Sequence, residues 1–242
     1  MIITYKENGW DVILQRHHGK IAATVLNQLK WVEDDPRKVD LLLATGQHDD
    51  SSNEFEKSNL IAENGGPIDF HMETFSEERC DRLMKLAFTR GLFIALLTAC
   101  HIQFLYDGAS PEATAYCRRL QVFQHNWQRQ LKLTTVAMRR YYAILQWCDA
   151  FSLILCQQQI PPEGRKLEIS KGPDGESFSL FSLSDENRLS VAPWPFVLPS
   201  FTLNLEIRTI ASLSFQNDKQ FLEELWAAPL IVRAITVSRD SR

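Results

Sequence analysis

The chain has 242 residues, 45% of them hydrophobic, enough apolar surface to bury a sizeable core. Its formal charge of −4 comes from 26 basic and 30 acidic side chains spread along the sequence, with no basic block able to neutralise a phosphate backbone, which argues against nucleic acid as a main partner. No run reaches about 18 consecutive apolar residues, which argues against a membrane helix, and the opening MIITYKENGW lacks the build of a signal peptide, so a cytoplasmic location is expected.

In chain order, Ile2–Tyr5 and Trp10–Leu14 flank Lys6-Glu-Asn-Gly9, and Asn-Gly between two short apolar runs predicts a β hairpin. From His17 the period turns helical, with Ile21, Ala22, Val25 and Leu29 on one face until Asp34-Asp35-Pro36 stops it. A second helix then ends near His48. Residues 50–75 are polar and turn-rich, which predicts a long loop serving a site as a lid, with Gly65-Gly66 as its hinge.

Ser76-Glu-Glu starts a long helix whose stripe runs Cys80, Met84, Ala87, Gly91, Ile94, Thr98, His101, Leu105 and stops at Asp107-Gly108. Pro111 to about Leu131 and roughly 134–157 are two more helices, the latter apolar nearly all round from Ala143 to Cys156 and therefore central. After Pro161-Pro162 the period shortens. Lys166–Ser170, Ser177–Leu183, Leu189–Pro193 and Phe201–Ile210 read as strands, with Pro-Asp-Gly and Asp185-Glu186-Asn187 among the turns between them. Asp218–Ala228 reads as a helix and Leu230–Val237 as a last strand. The five cysteines lack any C-x-x-C spacing and read as buried free thiols.

Four positions do not suit a plain core. His18 falls on the inward face of its helix, where it is either a satisfied core histidine or a ligand. His48 and Asp49 close an apolar helix, although an acidic residue at a C-terminal end opposes the helix dipole. Asp149 is the only charged residue between Tyr141 and Cys156, and an ionised carboxylate there needs an arginine or a metal to meet it.

A histidine early in one helix, a His-Asp pair closing the next and an aspartate about a hundred residues later resemble the H…HD…D signature of the HD-domain metal-dependent phosphohydrolases. That resemblance implies His18, His48, Asp49 and Asp149 as metal ligands. Along nearly its whole length the chain also resembles a bacterial family catalogued as domain of unknown function 3891, in its opening hairpin, its HG-type histidine at His18-Gly19, its HD pair before an acidic Gly-Pro loop, and its β-rich tail. Where many HD hydrolases carry a glycine after the pair, this chain has Asp50-Ser51-Ser52.

The resulting expectation is a mainly α fold: an HD-like helical bundle with an N-terminal β hairpin over residues 1–160, and a small β-rich C-terminal subdomain over 161–242. His101, on the stripe of its helix, is a fifth candidate ligand or a core histidine; His71 is a weaker candidate, and His125 has polar neighbours. Asp49 and Asp50 are the candidate catalytic carboxylates, Asp49 as a bridge between ions and Asp50 as an acceptor orienting an imidazole or facing solvent. Arg118-Arg119 and Arg139-Arg140 either contact phosphate or form solvated helix faces. Imidazoles with carboxylates suit one or two divalent ions of Fe, Mn or Zn. Three functions follow: hydrolysis of a small phosphorylated molecule, a di-iron oxygenase, or a non-catalytic metal-containing sensor or structural protein.

Overall fold

In the computed structural model, which describes residues 1–51, 53–183 and 187–240, the chain runs through seven helices and seven strands among the described residues. Strands β1 (Ile2–Lys6) and β2 (Gly9–Ile13) form the expected hairpin, in register from Ile2↔Ile13 to Lys6↔Gly9. Helices α1 (Gln15–Asn27) and α2 (Lys38–Gly46) follow, and His48 lies just beyond the end of α2.

Between α2 and the next helix the described residues hold only two short 3-10 turns, Glu54–Glu56 and Phe70–Met72. The expected long loop is therefore present, and it is tied down at several points. Asp218 accepts from the amides of Asn59 and Leu60, and Asp69 accepts from that of Ile3. Gly65-Gly66 is pinned too, since the Phe215 amide donates to the Gly65 carbonyl and Gly66 lies against the Trp10 ring. The expected hinge is thus a fixed contact.

The single helix expected from Ser76 to Leu105 is two, α3 (Glu77–Arg90) and α4 (Leu92–Tyr106), parted by Gly91 at φ 153°. Periodicity alone could not expose the break, because the stripe keeps its phase through Gly91. The consequence is large. In one straight helix Cys80 and Tyr106 would stand about 39 Å apart, yet the Phe75 and Tyr106 ring centroids are 5.4 Å apart. The chain folds back, and the start of α3 and the end of α4 face the same cavity. A Cβ on Gly91 would meet only Ile94 Cδ1, at 3.9 Å. The cost of Gly91→Ala is therefore one of backbone conformation, expected at about 1–3 kcal/mol and read as a lower urea midpoint.

Helices α5 (Pro111–Gln130) and α6 (Thr135–Cys156) complete the helical layer, and β3 (Leu167–Lys171), β4 (Ser177–Ser182), β5 (Arg188–Ala192), β6 (Ser200–Ile210), α7 (Asp218–Ala227) and β7 (Leu230–Ser238) follow. Of the turn expected at 185–187, Asp185 and Glu186 lie outside the described residues.

The expectation of a mainly α bundle with a small β subdomain is overturned. The chain is 47% helical and 21% strand, and the strands make one curled, mixed, seven-stranded sheet in the order β1-β2-β6-β7-β5-β4-β3. Its neighbours are antiparallel except β5 and β7. The hairpin is built into it, with Trp10↔Ile210 and Val12↔Arg208 joining β2 to β6. Local period identifies each strand but not a partner some two hundred residues away, which is why the sheet's extent was hidden.

Helix α6 lies between sheet and site. Trp147, fully buried, meets Phe178 of β4 at 5.6 Å between ring centroids and Phe196 at 6.0 Å. Two residues on, about 200° around the helix, Asp149 faces the other way, toward α1. All five cysteines are free and buried. Among the described residues no helix is long and apolar enough to cross a membrane.

Candidate metal centre

His18 enters from the first turn and a half of α1, His48 and Asp49 from the turn after α2, His101 from α4 and Asp149 from α6. His18, His48 and His101 are almost wholly buried, and Asp149 is 7% exposed. His18 Nε2 lies 3.3 Å from His48 Nε2, and Asp149 Oδ1 is 3.0 Å from the first and 3.2 Å from the second. Asp49 continues the cluster, with Oδ2 3.4 Å from His48 Nε2 and Oδ1 3.3 Å from His101 Nε2. The structure thus brings together all five residues expected as ligands.

The outer hydrogen bonds fix the tautomers of two rings. His48 Nδ1 faces the Thr45 carbonyl at 2.6 Å and must donate to it, leaving Nε2 with a lone pair in the neutral ring. The Ser152 hydroxyl donates to the Asp149 carbonyl and so accepts from His18 Nδ1, each at 2.9 Å. His18 Nε2 is then also a lone pair. Two lone pairs and a carboxylate oxygen pressed together repel unless a cation sits among them. Ligand atoms about 2.0–2.2 Å from one ion stand roughly 2.8–3.1 Å apart at right angles and roughly 3.3–3.6 Å apart at tetrahedral angles, the spacing seen here.

Among the described residues two overlapping triplets could hold an ion: His18, His48 and Asp49, and His48, His101 and Asp149, with ligand atoms within 4.8 Å of one another. The donor set suits Fe, Mn or Zn. A further sign is an unsatisfied atom. Gln15 Nε2 donates to Asp49 Oδ2 at 2.8 Å, while its Oε1 is buried without a partner among the described residues. Such an acceptor costs about 1–3 kcal/mol until a donor meets it.

Charges inside the cluster are strongly coupled. Burial would lower His48, but Asp49 and Asp149 outweigh it and hold the imidazole well above its ordinary 6.5. Burial would raise Asp149 and Asp49, yet His48 and its neighbouring imidazoles hold both carboxyls below the usual range. Without metal, then, a proton fills the place of the cation. The stability that His48 contributes is complete below about 6.5 and fades as pH rises through its raised value; that of the carboxylates is present above their ordinary range and fades on acidification.

Proton and metal compete for His48 Nε2. Affinity for Mn²⁺ is therefore expected to fall by about tenfold per pH unit below the raised His48 value. Calorimetric titrations between about pH 6 and pH 8.5 would read this slope, and a flat affinity would remove His48 from the ligand set.

A cavity of about 400 Å³ opens onto Asp49, His101 and Asp149, and Lys57, Glu73 and Arg79 line it as well. Glu73 pairs with both cations, and although burial would raise its carboxyl, Lys57 and Arg79 hold it below the ordinary value. Cys80 also lines the cavity, and burial pushes its thiol up to about 11, so it is no ready nucleophile.

The remaining candidates are placed elsewhere. Asp50 pairs with Arg16 at 2.7 Å and Arg90 at 3.4 Å and has no imidazole partner among the described residues. His71 lines the cavity wall, held by Asp69 at 2.7 Å, and does not join the cluster. His125 is exposed and bonds the Gln121 carbonyl of its own helix. Arg119 pairs with Glu77 and Arg140 with Asp174 on helix surfaces, and neither arginine pair lines the cavity.

Sequence reasoning missed Gln15, Ser152, Lys57 and Glu73. Gln15 stands one turn before His18 and Ser152 one turn after Asp149, so a polar residue at three-residue spacing was a usable signal. Lys57 and Glu73 lie in the aperiodic loop, which offers none.

The chain belongs to the family described as Protein of unknown function (DUF3891), whose model matches residues 1–212 and so takes in the whole cluster. No curated protein and no solved structure matches it.

Proposed function

We propose that this chain is a metal-dependent hydrolase of a small phosphorylated molecule, built on an HD-type ligand set of His18, His48, Asp49 and Asp149 with His101 as a fifth ligand. One arrangement carries the reading: two imidazole lone pairs and a carboxylate form a triangle 3.0–3.3 Å on a side, beside a cavity that Lys57 and Arg79 also line. A divalent ion held there lowers the pKa of a coordinated water and polarises a phosphoryl oxygen.

The chain's own groups divide the remaining work. Asp49 turns one oxygen toward His48 and the other toward His101, so it would contribute to holding an ion with either imidazole. Lys57 and Arg79 supply donors for phosphate oxygens, with the substrate replacing Glu73 as their partner. Asp50, braced by Arg16 and Arg90, anchors the turn that presents His48 and Asp49. A second reading, oxygen chemistry on iron, is favoured by one observation: His101 brings the cluster to three imidazoles beside two carboxylates.

The test is a screen of nucleotides, cyclic nucleotides and simple phosphoesters with Mn²⁺-loaded protein, with and without chelator, beside an oxygen-uptake assay on the Fe²⁺ form. Phosphate release that chelator abolishes and Mn²⁺ restores is expected. Oxygen uptake without phosphate release would replace this reading with the second, and silence in both from fully metallated protein would leave a non-catalytic metal protein.

A further inference from the structure

Gln15 occupies a position that a merely structural residue would not need. Its amide is anchored at one end, where Nε2 donates to Asp49 Oδ2 at 2.8 Å. The assignment of nitrogen and oxygen follows from chemistry, since turning the amide over would set its carbonyl against a carboxylate. Its backbone is also held, the amide nitrogen donating to Glu54 Oε1 at 2.7 Å. Its Oε1 is buried with no donor among the described residues. Gln15 lines the same cavity as Asp49, His101 and Asp149.

We propose that Gln15 is a positioning residue of the metal centre, its Nε2 aiming the Asp49 carboxylate that would help to hold the ion. The proposal rests on the metal-centre reading above and deepens it. The donor end fixes which Asp49 oxygen faces His48 and which faces His101. A glutamate there would set a second carboxylate against Asp49, and a shorter or apolar side chain would lose the contact. Loss of a group that orients a ligand in this way typically weakens metal binding or activity by about 10–100-fold.

The experiment compares wild type with Gln15→Met, similar in length but without either polar end, and Gln15→Asn, which keeps both ends but withdraws them by one methylene. Mn²⁺ affinity by equilibrium dialysis and water-proton relaxation of the Mn²⁺ form are measured on all three, with circular dichroism to verify folding. Both variants are expected to bind Mn²⁺ about 10–100-fold more weakly, to show altered water relaxation at saturating Mn²⁺, and, on any phosphoester the wild type hydrolyses, to lose kcat more than KM. Wild type and a folded variant indistinguishable in affinity and relaxation would overturn the role of Gln15 while leaving the metal centre standing. Wild type that binds no Mn²⁺ would overturn the metal reading and this inference with it. If Gln15→Met fails to fold, Gln15→Asn decides the matter.

Discussion

Asp149→Ala is expected to weaken binding of Mn²⁺ or Zn²⁺ by about 100-fold or more while leaving the protein folded. Asp149 Oδ1 lies between the two rings, 3.0 Å from His18 Nε2 and 3.2 Å from His48 Nε2. Removing it takes both a donor atom and a negative charge from the site. The fold survives because no charge is stranded: His48 keeps Asp49 as its partner, with Oδ2 3.4 Å from Nε2, and its Nδ1–H stays bonded to the Thr45 carbonyl. The neighbouring Cys148, fully buried and about 100° around the helix, gives the contrasting result. Cys148→Ala is expected to cost about 1 kcal/mol of stability and to leave metal affinity unchanged. Metal content by mass spectrometry, calorimetric affinity and thermal melts on the two variants separate ligand loss from core loss. Wild-type affinity in Asp149→Ala would strike Asp149 from the ligand set.

Asp149 was conspicuous in the sequence because a charge in an apolar helix is costly, and the same logic marked His18 on an inward face. Both signals are local, and they hold within one element. Strand positions were legible for the same reason, and β6 and β7 begin and end within a residue or so of where period and turn residues put them. What stayed hidden depends on distance along the chain. The joining of β2 to β6 is decided by backbone bonds between residues about two hundred apart, so the hairpin looked like an ornament on a bundle when it is part of the main sheet. The reversal at Gly91 was hidden by an apolar stripe that continues in phase, although a glycine in that stripe was the one residue able to take φ 153°. Without that reversal His101 would sit far along a straight rod from Cys80 and Arg79, and no cavity would connect them.

Gly19→Ala is expected to damage the metal centre without touching a ligand. A Cβ on Gly19 would lie 2.3 Å from the Gly46 carbonyl oxygen and 3.1 Å from its carbon, both backbone atoms that cannot swing aside. Helices α1 and α2 therefore meet at Gly19 and Gly46, and each glycine stands close in sequence to one of the two facing imidazoles, His18 and His48. An alanine forces the last turn of α2 outward by about 1 Å, overpacking that typically costs about 1–3 kcal/mol. His48 and Asp49 move with that turn. Two ring nitrogens held 3.3 Å apart do not tolerate such a shift, and misplacement by about 1 Å is enough to cost on the order of 100-fold in function. Gly46→Ala provides the matched control across the same contact. Its Cβ would meet only the Ala23 Cβ at 3.4 Å and the Gly19 oxygen at 3.8 Å, ordinary packing distances. Exchanging glycine for alanine within a helix gains up to about 1 kcal/mol, so this variant is expected to melt at or above the wild-type temperature with its Mn²⁺ affinity intact. The asymmetry is the test. Equal melting points and equal affinities in the two variants would mean that the helix contact at Gly19 does not set the spacing of the rings, whereas loss confined to Gly19→Ala would trace the geometry of the metal centre to a single missing side chain.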